Sequence, residues 1–255
     1  MNNLDFLKKI RPVGYFKNDY LYACYIALYQ FAIDYCKNKK VLDAACGMGF
    51  GSYYLKQQAA EVVGIDISDH ALEHARQQYS ADGLAFEKID ATHMPFPDQS
   101  FDVIVSIETY EHIPPELAVR FLAEAKRILK PGGCLIISTP NSPVYSKISK
   151  TPDHINEVDV DTFDISLATY FPDREFYYQR KNVLQEMKAF YSVIRSDRFK
   201  LRELIPNSWK QAVKKRIAKN ITMEMDALLT KLKVHQASSK YDVEDAVIQV
   251  VVCRM

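Results

Sequence analysis

The stretch VLDAACGMGFGS, residues 41–52, decides the fold. It opens as a short apolar run, KVLDAAC (40–46), of the kind that forms a buried strand. Three glycines, Gly47, Gly49 and Gly51, then compress into a turn, and SYYLKQQA continues as a helix. Strand, glycine turn and helix together begin a βαβ unit. The stretch also poses a problem. Such turns usually hold a pyrophosphate at the helix N-terminus, yet here a carboxylate, Asp43, stands at the mouth. At about 4–6 Å and an effective dielectric near 20, two like charges repel by roughly 3–4 kcal/mol before screening. The spacing is also G-x-G-x-G rather than the dinucleotide pattern G-x-G-x-x-G. Either Asp43 only caps the turn, or the ligand carries no phosphate.

Working outward, short apolar runs alternate with amphipathic helices. EVVGIDI (61–67) reads as a second strand, and DHALEHARQQYS as a helix capped by Ser68 or Asp69. LAFEKID (84–90) and FDVIVSIE (101–108) are strands three and four. PPELAVRFLAEAKRILK follows as a long helix with Leu117, Phe121, Ala125 and Ile128 on one face, and Lys130-Pro131-Gly132-Gly133 is expected to stop it. CLIISTP (134–140) is a fifth strand, VDTFDISLATYF (160–171) a helix, REFYYQRK (174–181) a sixth strand and AVIQVVVC (246–253) the last. The alternation predicts a doubly wound, mostly parallel α/β sheet with right-handed crossovers. We expect one domain over 1–255: a helical cap (1–38), a ligand-binding core (39–182), a helical insertion or lid (183–244) and a last strand (245–255).

Composition agrees. Apolar residues make up 48% and charged residues 25% of 255 residues, and the net charge is +1, so no global field selects a polyanionic partner. Five scattered cysteines without a C-x-x-C pair argue against a disulfide framework. No run approaches the ~20 apolar residues of a membrane span, and MNNLDFLKKIRPVG lacks the apolar segment of a signal peptide. A cytoplasmic protein is expected.

S-adenosylmethionine resolves the conflict at Asp43. It has no phosphate, but it has an ammonium and a sulfonium, and an acid at the first strand end attracts the ammonium directly or through water. Two further acids end strands on the same side of the sheet. Asp66, in VVGIDIS, suits both hydroxyls of a ribose. Asp90, in KIDAT, with the backbone amides after it, suits the amino edge of adenine.

Together VLDAACGMGFGS, VVGIDIS, FEKIDATHMPFPDQSFDVIVSIETYEHI and LAEAKRILKPGGCLIISTPN resemble the successive motifs of class I S-adenosylmethionine-dependent methyltransferases, over about residues 30–182. The resemblance implies a Rossmann-like seven-stranded sheet whose last strand is antiparallel and lies beside the fifth. It implies S-adenosylmethionine as cofactor, held by Asp43, Ala45, Gly47, Gly49, Asp66, Asp90, Thr92, Ile107 and Glu108. Ile67 and Ala91 would flank the adenine.

Methyl transfer is an in-line displacement, so the enzyme chiefly aligns acceptor and methyl group. A hydroxyl acceptor also needs a base, and histidine is the side chain suited to that role near neutrality. His112, in YEHIPPE, and His154, in PDHINEV with Glu157 three residues on, fall near the expected cleft. His154 oriented by Glu157 is the first candidate base, and His112 the second; for either, a structural hydrogen bond is the plain alternative. His70-Ala71-Leu72-Glu73-His74 matches H-x-x-E-H, but it lies on a helix with one face turned to the core and the other to solvent, and no metal is expected.

The place after strand four reads SIETYEH rather than the D/N-P-P-Y/F of nucleic-acid amino methyltransferases, so a DNA acceptor is disfavoured. STPNSPVYSKISKTPDHINEV resembles a run found in enzymes of glycan and surface-polysaccharide biosynthesis, which implies a sugar hydroxyl on a nucleotide, lipid or glycan. Another small metabolite or lipid is the alternative. From Arg195 to Lys219 nine basic residues face two acids. This segment suits a phosphate-bearing acceptor, RNA, or peripheral membrane contact through 206–219, and equally an ordinary solvated lid helix.

Overall fold

The computed structural model describes residues 6, 10–12, 19–146, 151–180, 229, 232–240 and 246–255. Helix α1 (Asp19–Ala32), with a 3-10 turn at Ile33–Tyr35, leads into β1 (Lys40–Ala44). Then follow α2 (Phe50–Leu55), β2 (Glu61–Asp66), α3 (Asp69–Gln78), β3 (Leu84–Lys88) and β4 (Phe101–Ser106). A 3-10 turn (Tyr110–His112) precedes α4 (Pro115–Ile128), β5 (Leu129–Pro140), α5 (Ser142–Tyr145), α6 (Val160–Ala168), β6 (Asp173–Arg180), β7 (His235–Gln236) and β8 (Ala246–Arg254).

The sheet order is β3-β2-β1-β4-β5-β8-β6-β7. Strands β1 to β5 pair in parallel, and β8 runs antiparallel to both β5 and β6. Among the described residues the sheet therefore has eight strands, not the seven expected. The extra one is His235–Gln236, which pairs with Tyr177 and Tyr178 at the outer edge of β6. It falls within the segment read as a helical insertion; its alternation is too short to register in the sequence. Most of that insertion, including the basic run from Arg195 to Lys219, lies outside the described residues.

Strand alternation sends successive side chains to opposite faces. Val41 joins the core under α1, α2 and α3, whereas Leu42 and Ala44 join the core under α4 and α6. Asp43 thus falls on the α1–α2 face, beside Val105 of β4 and Gly64 of β2. On α4 the buried stripe is Ala118, Phe121, Leu122, Ala125 and Ile128. Leu117, expected on that face, is only half-buried, because the stripe turns one position further round. Truncation of a side chain as buried as Phe121 costs about 3–5 kcal/mol.

The helix stops earlier than the LKPGG motif suggests. Leu129 already has extended geometry and pairs with Phe101, and Gly132, with φ of 75°, forms an irregularity that shifts the register before Val103 meets Cys134. Because β1 is flanked by β2 on one side and β4 on the other, the chain reverses its winding there. Ligands in open α/β sheets bind at such a switch point, beyond the carboxyl ends of the strands.

Candidate active site

The turn after β1 is built by backbone hydrogen bonds to its neighbour. Cys46 donates to the carbonyl of Ile65 at 2.8 Å, and Gly47 donates to Asp66 Oδ2 at 2.9 Å. Asp66 Oδ1 accepts from the amide of Ser68 at 2.9 Å, which also fixes the start of α3, capped by Ser68 through Ala71. Ala45, Gly47 and Gly49 have positive φ, of 60°, 51° and 79°. At Gly49 a Cβ would lie 2.5 Å from Ala75 Cβ, so glycine there serves close packing against α3 and β3. Gly49 is buried, while Ala45, Gly47 and Asp66 are half-buried at the end of the strands.

Asp43 lies beneath this surface. It is 0% exposed, and its oxygens accept from Ser52 Oγ at 2.6 Å and Tyr29 Oη at 3.2 Å. Burial pushes its carboxyl up to about 7 despite those two hydrogen bonds. A buried acid without a cation beside it is costly in its charged form. With no exposed surface, Asp43 makes no direct contact outside the fold, contrary to the expectation that it faces the cleft. Tyr29 and Tyr22 of α1 also pack edgewise or tilted on Phe50 of α2. The aromatic N-terminal helix therefore braces the glycine turn. The aromatic residues of this segment, Tyr15, Phe16, Tyr20, Tyr22, Tyr25 and Tyr29, read from the sequence either as a cover over the cofactor or as plain core; Tyr22 and Tyr29 are buried, and Tyr15, Phe16 and the side chain of Tyr20 fall outside the described residues.

The other strand ends are more open. Asp90 is exposed, with Oδ1 accepting from the amide and hydroxyl of Thr92, both at 2.8 Å. Ile67 is 68% exposed, an isolated apolar side chain directly after Asp66, and Ala91 is 9% exposed. Arg127 of α4 holds the loop after Asp90, donating to the carbonyls of Met94 and Phe96 and pairing with Glu124 and Asp98.

A second group of side chains gathers where β4 and β5 end. Ile107 is buried, and Glu108 has φ of 52°. Glu108 accepts from Ser138 Oγ at 2.9 Å, and burial raises it to about 7. Glu111, 1% exposed, accepts from Thr139 at 2.9 Å; burial and then the charge of Glu108 hold it well above the usual carboxylate range. The loop 151–157 folds onto this turn. Ile155 and Asn156 both donate to the carbonyl of Glu111 at 2.9 Å, and Asn156 Nδ2 donates to the carbonyl of Tyr110.

That docking brings the three expected catalytic residues together. His154 Nδ1 lies 3.1 Å from Glu157 Oε1, and His112 Nδ1 lies 2.9 Å from the carbonyl of Asp153. The two imidazoles meet edge to face at 4.9 Å, and Tyr145 stacks on His154 at 5.2 Å. Burial holds His154 below its ordinary value, partly offset by its bond to Glu157. His70 and His74 remain on α3; no third ligand joins them among the described residues. Sequence reasoning missed Ser52, Glu111, Ser138 and Thr139, and named Tyr29 only among aromatic residues that close over the cofactor or form plain core. Ser138 and Thr139 stand in STP, at a strand end beside β4, which is a usable signal; the bond from Tyr29 to Asp43 depends on helix docking and had none.

Residues 42–137 match the methyltransferase domain family. A probable S-adenosylmethionine-dependent methyltransferase of Mycolicibacterium smegmatis is 31% identical over 144 residues, 54% of this chain and 52% of its own length. The fatty-acid O-methyltransferase of the same organism is 36% identical over 99 residues, 38% of this chain and 35% of its own. The chain thus spans about half the length, or less, of these curated relatives. Among solved structures, a Pyrococcus horikoshii protein superposes with a TM-score of 0.56 at 26% identity, covering 65% of this chain and 88% of its own. An S-adenosylmethionine-dependent methyltransferase from Archaeoglobus fulgidus superposes with a TM-score of 0.59 at 16% identity, the match covering 94% of this chain and 96% of its own, which shows likeness of fold.

Proposed function

We propose, on the premise that residues 42–137 form a class I S-adenosylmethionine-dependent methyltransferase domain, that the whole chain methylates a hydroxyl of a small molecule. The observation that carries this reading is the set of acids at the switch point: Asp43 below, Asp66 tied to Gly47, and Asp90 open beyond β3. As hydrogen-bond acceptors they fit a cationic, phosphate-free adenosine ligand, and exposed Ile67 offers an apolar face for its base. S-adenosylmethionine, when bound there, supplies an electrophilic methyl group on a sulfonium.

The chain's own groups do the rest. Asp66 holds the ribose hydroxyls, and Asp90 with the Thr92 amide holds the adenine edge. Asp43 offsets the ammonium from beneath the turn. At the β4–β5 end, His112, His154 and Glu157 handle the acceptor's hydroxyl proton. His154 is kept neutral by burial, and Glu157 fixes its ring.

For the acceptor we favour a sugar hydroxyl carried on a nucleotide, lipid or glycan, on the strength of the STPN…H-x-x-E run that contains His154 and Glu157. The basic segment 195–219 suits a phosphate on that acceptor. A lipid acceptor is the second reading, favoured by the relatives named for fatty-acid and phthiotriol methylation. Among the described residues no helix is long and apolar enough to cross a membrane. The test is turnover of methyl-labelled S-adenosylmethionine by the purified chain against nucleotide sugars, polyprenyl-linked sugars and fatty acids. Label in a sugar methyl ether supports the first reading and label in a lipid the second. Label in neither contradicts the hydroxyl assignment.

A further inference from the structure

Both histidines at the β4–β5 end have one ring nitrogen already committed. The carbonyl of Asp153 can only accept, so His112 Nδ1 carries the proton and Nε2 keeps its lone pair. The carboxylate of Glu157 imposes the same tautomer on His154. A carbonyl or carboxylate behind Nδ1, leaving Nε2 free in front, is the arrangement that orients metal-ligating histidines. Glu111 supplies the third group. Its Oε2 is taken by Thr139, while Oε1 lies 4.0 Å from His112 Nε2. Ligand atoms of Glu111, His112 and His154 all lie within 4.8 Å of one another.

A second observation is geometric. Neighbouring hydroxyls of β5 hold two of the acids, Ser138 Oγ on Glu108 and Thr139 Oγ1 on Glu111, and among the described residues no lysine or arginine pairs with Glu108, Glu111 or Glu157. The frame is also stiff: two backbone bonds fix the 151–157 loop to Glu111, and Tyr145 backs His154.

We propose that Glu111, His112 and His154 bind a divalent first-row transition-metal cation. Ligand atoms about 2.0–2.2 Å from such an ion lie roughly 3–4 Å apart, so the widest donor separation, up to 4.8 Å, needs to close by roughly 1–2 Å at most. Two imidazoles and one carboxylate select manganese, cobalt, iron or zinc over magnesium or calcium, and they leave positions open for the acceptor. This deepens the reading above and rests on it for the chemistry. The acceptor hydroxyl coordinates the cation and loses its proton to solvent. Its oxygen forms the bond to the methyl carbon as the carbon–sulfur bond breaks, and the electron pair goes to sulfur. With the cation bound, the histidines act as its ligands in place of the proton-handling role given above, and Glu157 positions His154.

The test is calorimetric titration of the chelator-stripped full chain with Mn²⁺ and with Co²⁺, and visible absorption of the Co²⁺ form to report nitrogen ligation. We expect one site per chain. We expect Glu111→Gln, which keeps the side chain's shape, and His154→Ala each to weaken it at least about tenfold. Unchanged S-adenosylhomocysteine affinity in both variants controls for folding. No saturable binding of either cation, or binding indifferent to both substitutions, would overturn the site. Cation binding without any methyl transfer would leave the site standing and remove the function. Methyl transfer that survives chelation, with no cation bound, would do the reverse.

Discussion

The amide of Gly47 donates to Asp66 Oδ2 at 2.9 Å, so the turn after β1 and the acid ending β2 are one hydrogen-bonded unit. Removing the carboxylate therefore both loosens the turn and deletes the expected ribose acceptor. Each hydrogen bond to a charged group is worth about 1.5–3 kcal/mol. Asp66→Ala should raise the dissociation constant for S-adenosylhomocysteine by about a hundredfold or more. Asp66→Asn, which keeps one acceptor, should cost about tenfold. Calorimetry on the two variants checks the order; equal affinity in all three proteins would contradict it.

Gly51 is the point where α2 meets α1. A Cβ there would lie 2.0 Å from Tyr29 Cζ, so the ring must leave and take its hydrogen bond to Asp43 with it. Gly51→Ala should lose at least about 2 kcal/mol of stability, read as a lower urea midpoint. Tyr29→Phe, which removes only the hydroxyl, should lose less.

Asp43 makes stability depend on pH. Burial raises its carboxyl from an ordinary 3.8 to about 7 in the folded state. Between those values the folded chain keeps a proton that the unfolded chain has released. The contribution is complete below about pH 4 and fades as pH rises through 7; its full size is up to about 4 kcal/mol. Asp43→Asn should flatten the stability profile over that window, as followed by denaturant unfolding at several pH values. A cationic ligand above the carboxylate favours its charged form. Cofactor binding near pH 7 should therefore release protons, visible as a binding enthalpy that changes with the buffer's ionisation enthalpy.

His154 and the cofactor site are separate clusters on neighbouring strand ends. His154→Ala should lose most turnover while S-adenosylhomocysteine binds as before. Glu157→Ala, acting only through the imidazole it orients, should fall between that variant and the parent. Unimpaired turnover in His154→Ala would shift the role to His112.

The doubly wound core was legible because its signals are local. VLDAACGMGFGS, VVGIDIS and KIDAT each announce a strand and the acid at its end, and the order of elements orders the sheet. The two-residue strand His235–Gln236 was not, because its only cause is the unpaired edge of β6. Asp43 was found as an acid beside glycines, but its depth was not, since Tyr29 and Ser52 arrive from helices that dock only in the folded chain. His112, His154 and Glu157 could be singled out by type. Their convergence on Glu111 depends on a loop folding back across more than forty residues, and nothing in the spacing of those residues announces it.

Side-by-side calorimetry of the purified chain with S-adenosylhomocysteine and with NADH tests the central claim most directly. Convergent carboxylates at the switch point should take the phosphate-free adenosine ligand at one site per chain and reject the dinucleotide. Binding of NADH with no uptake of S-adenosylhomocysteine would contradict it.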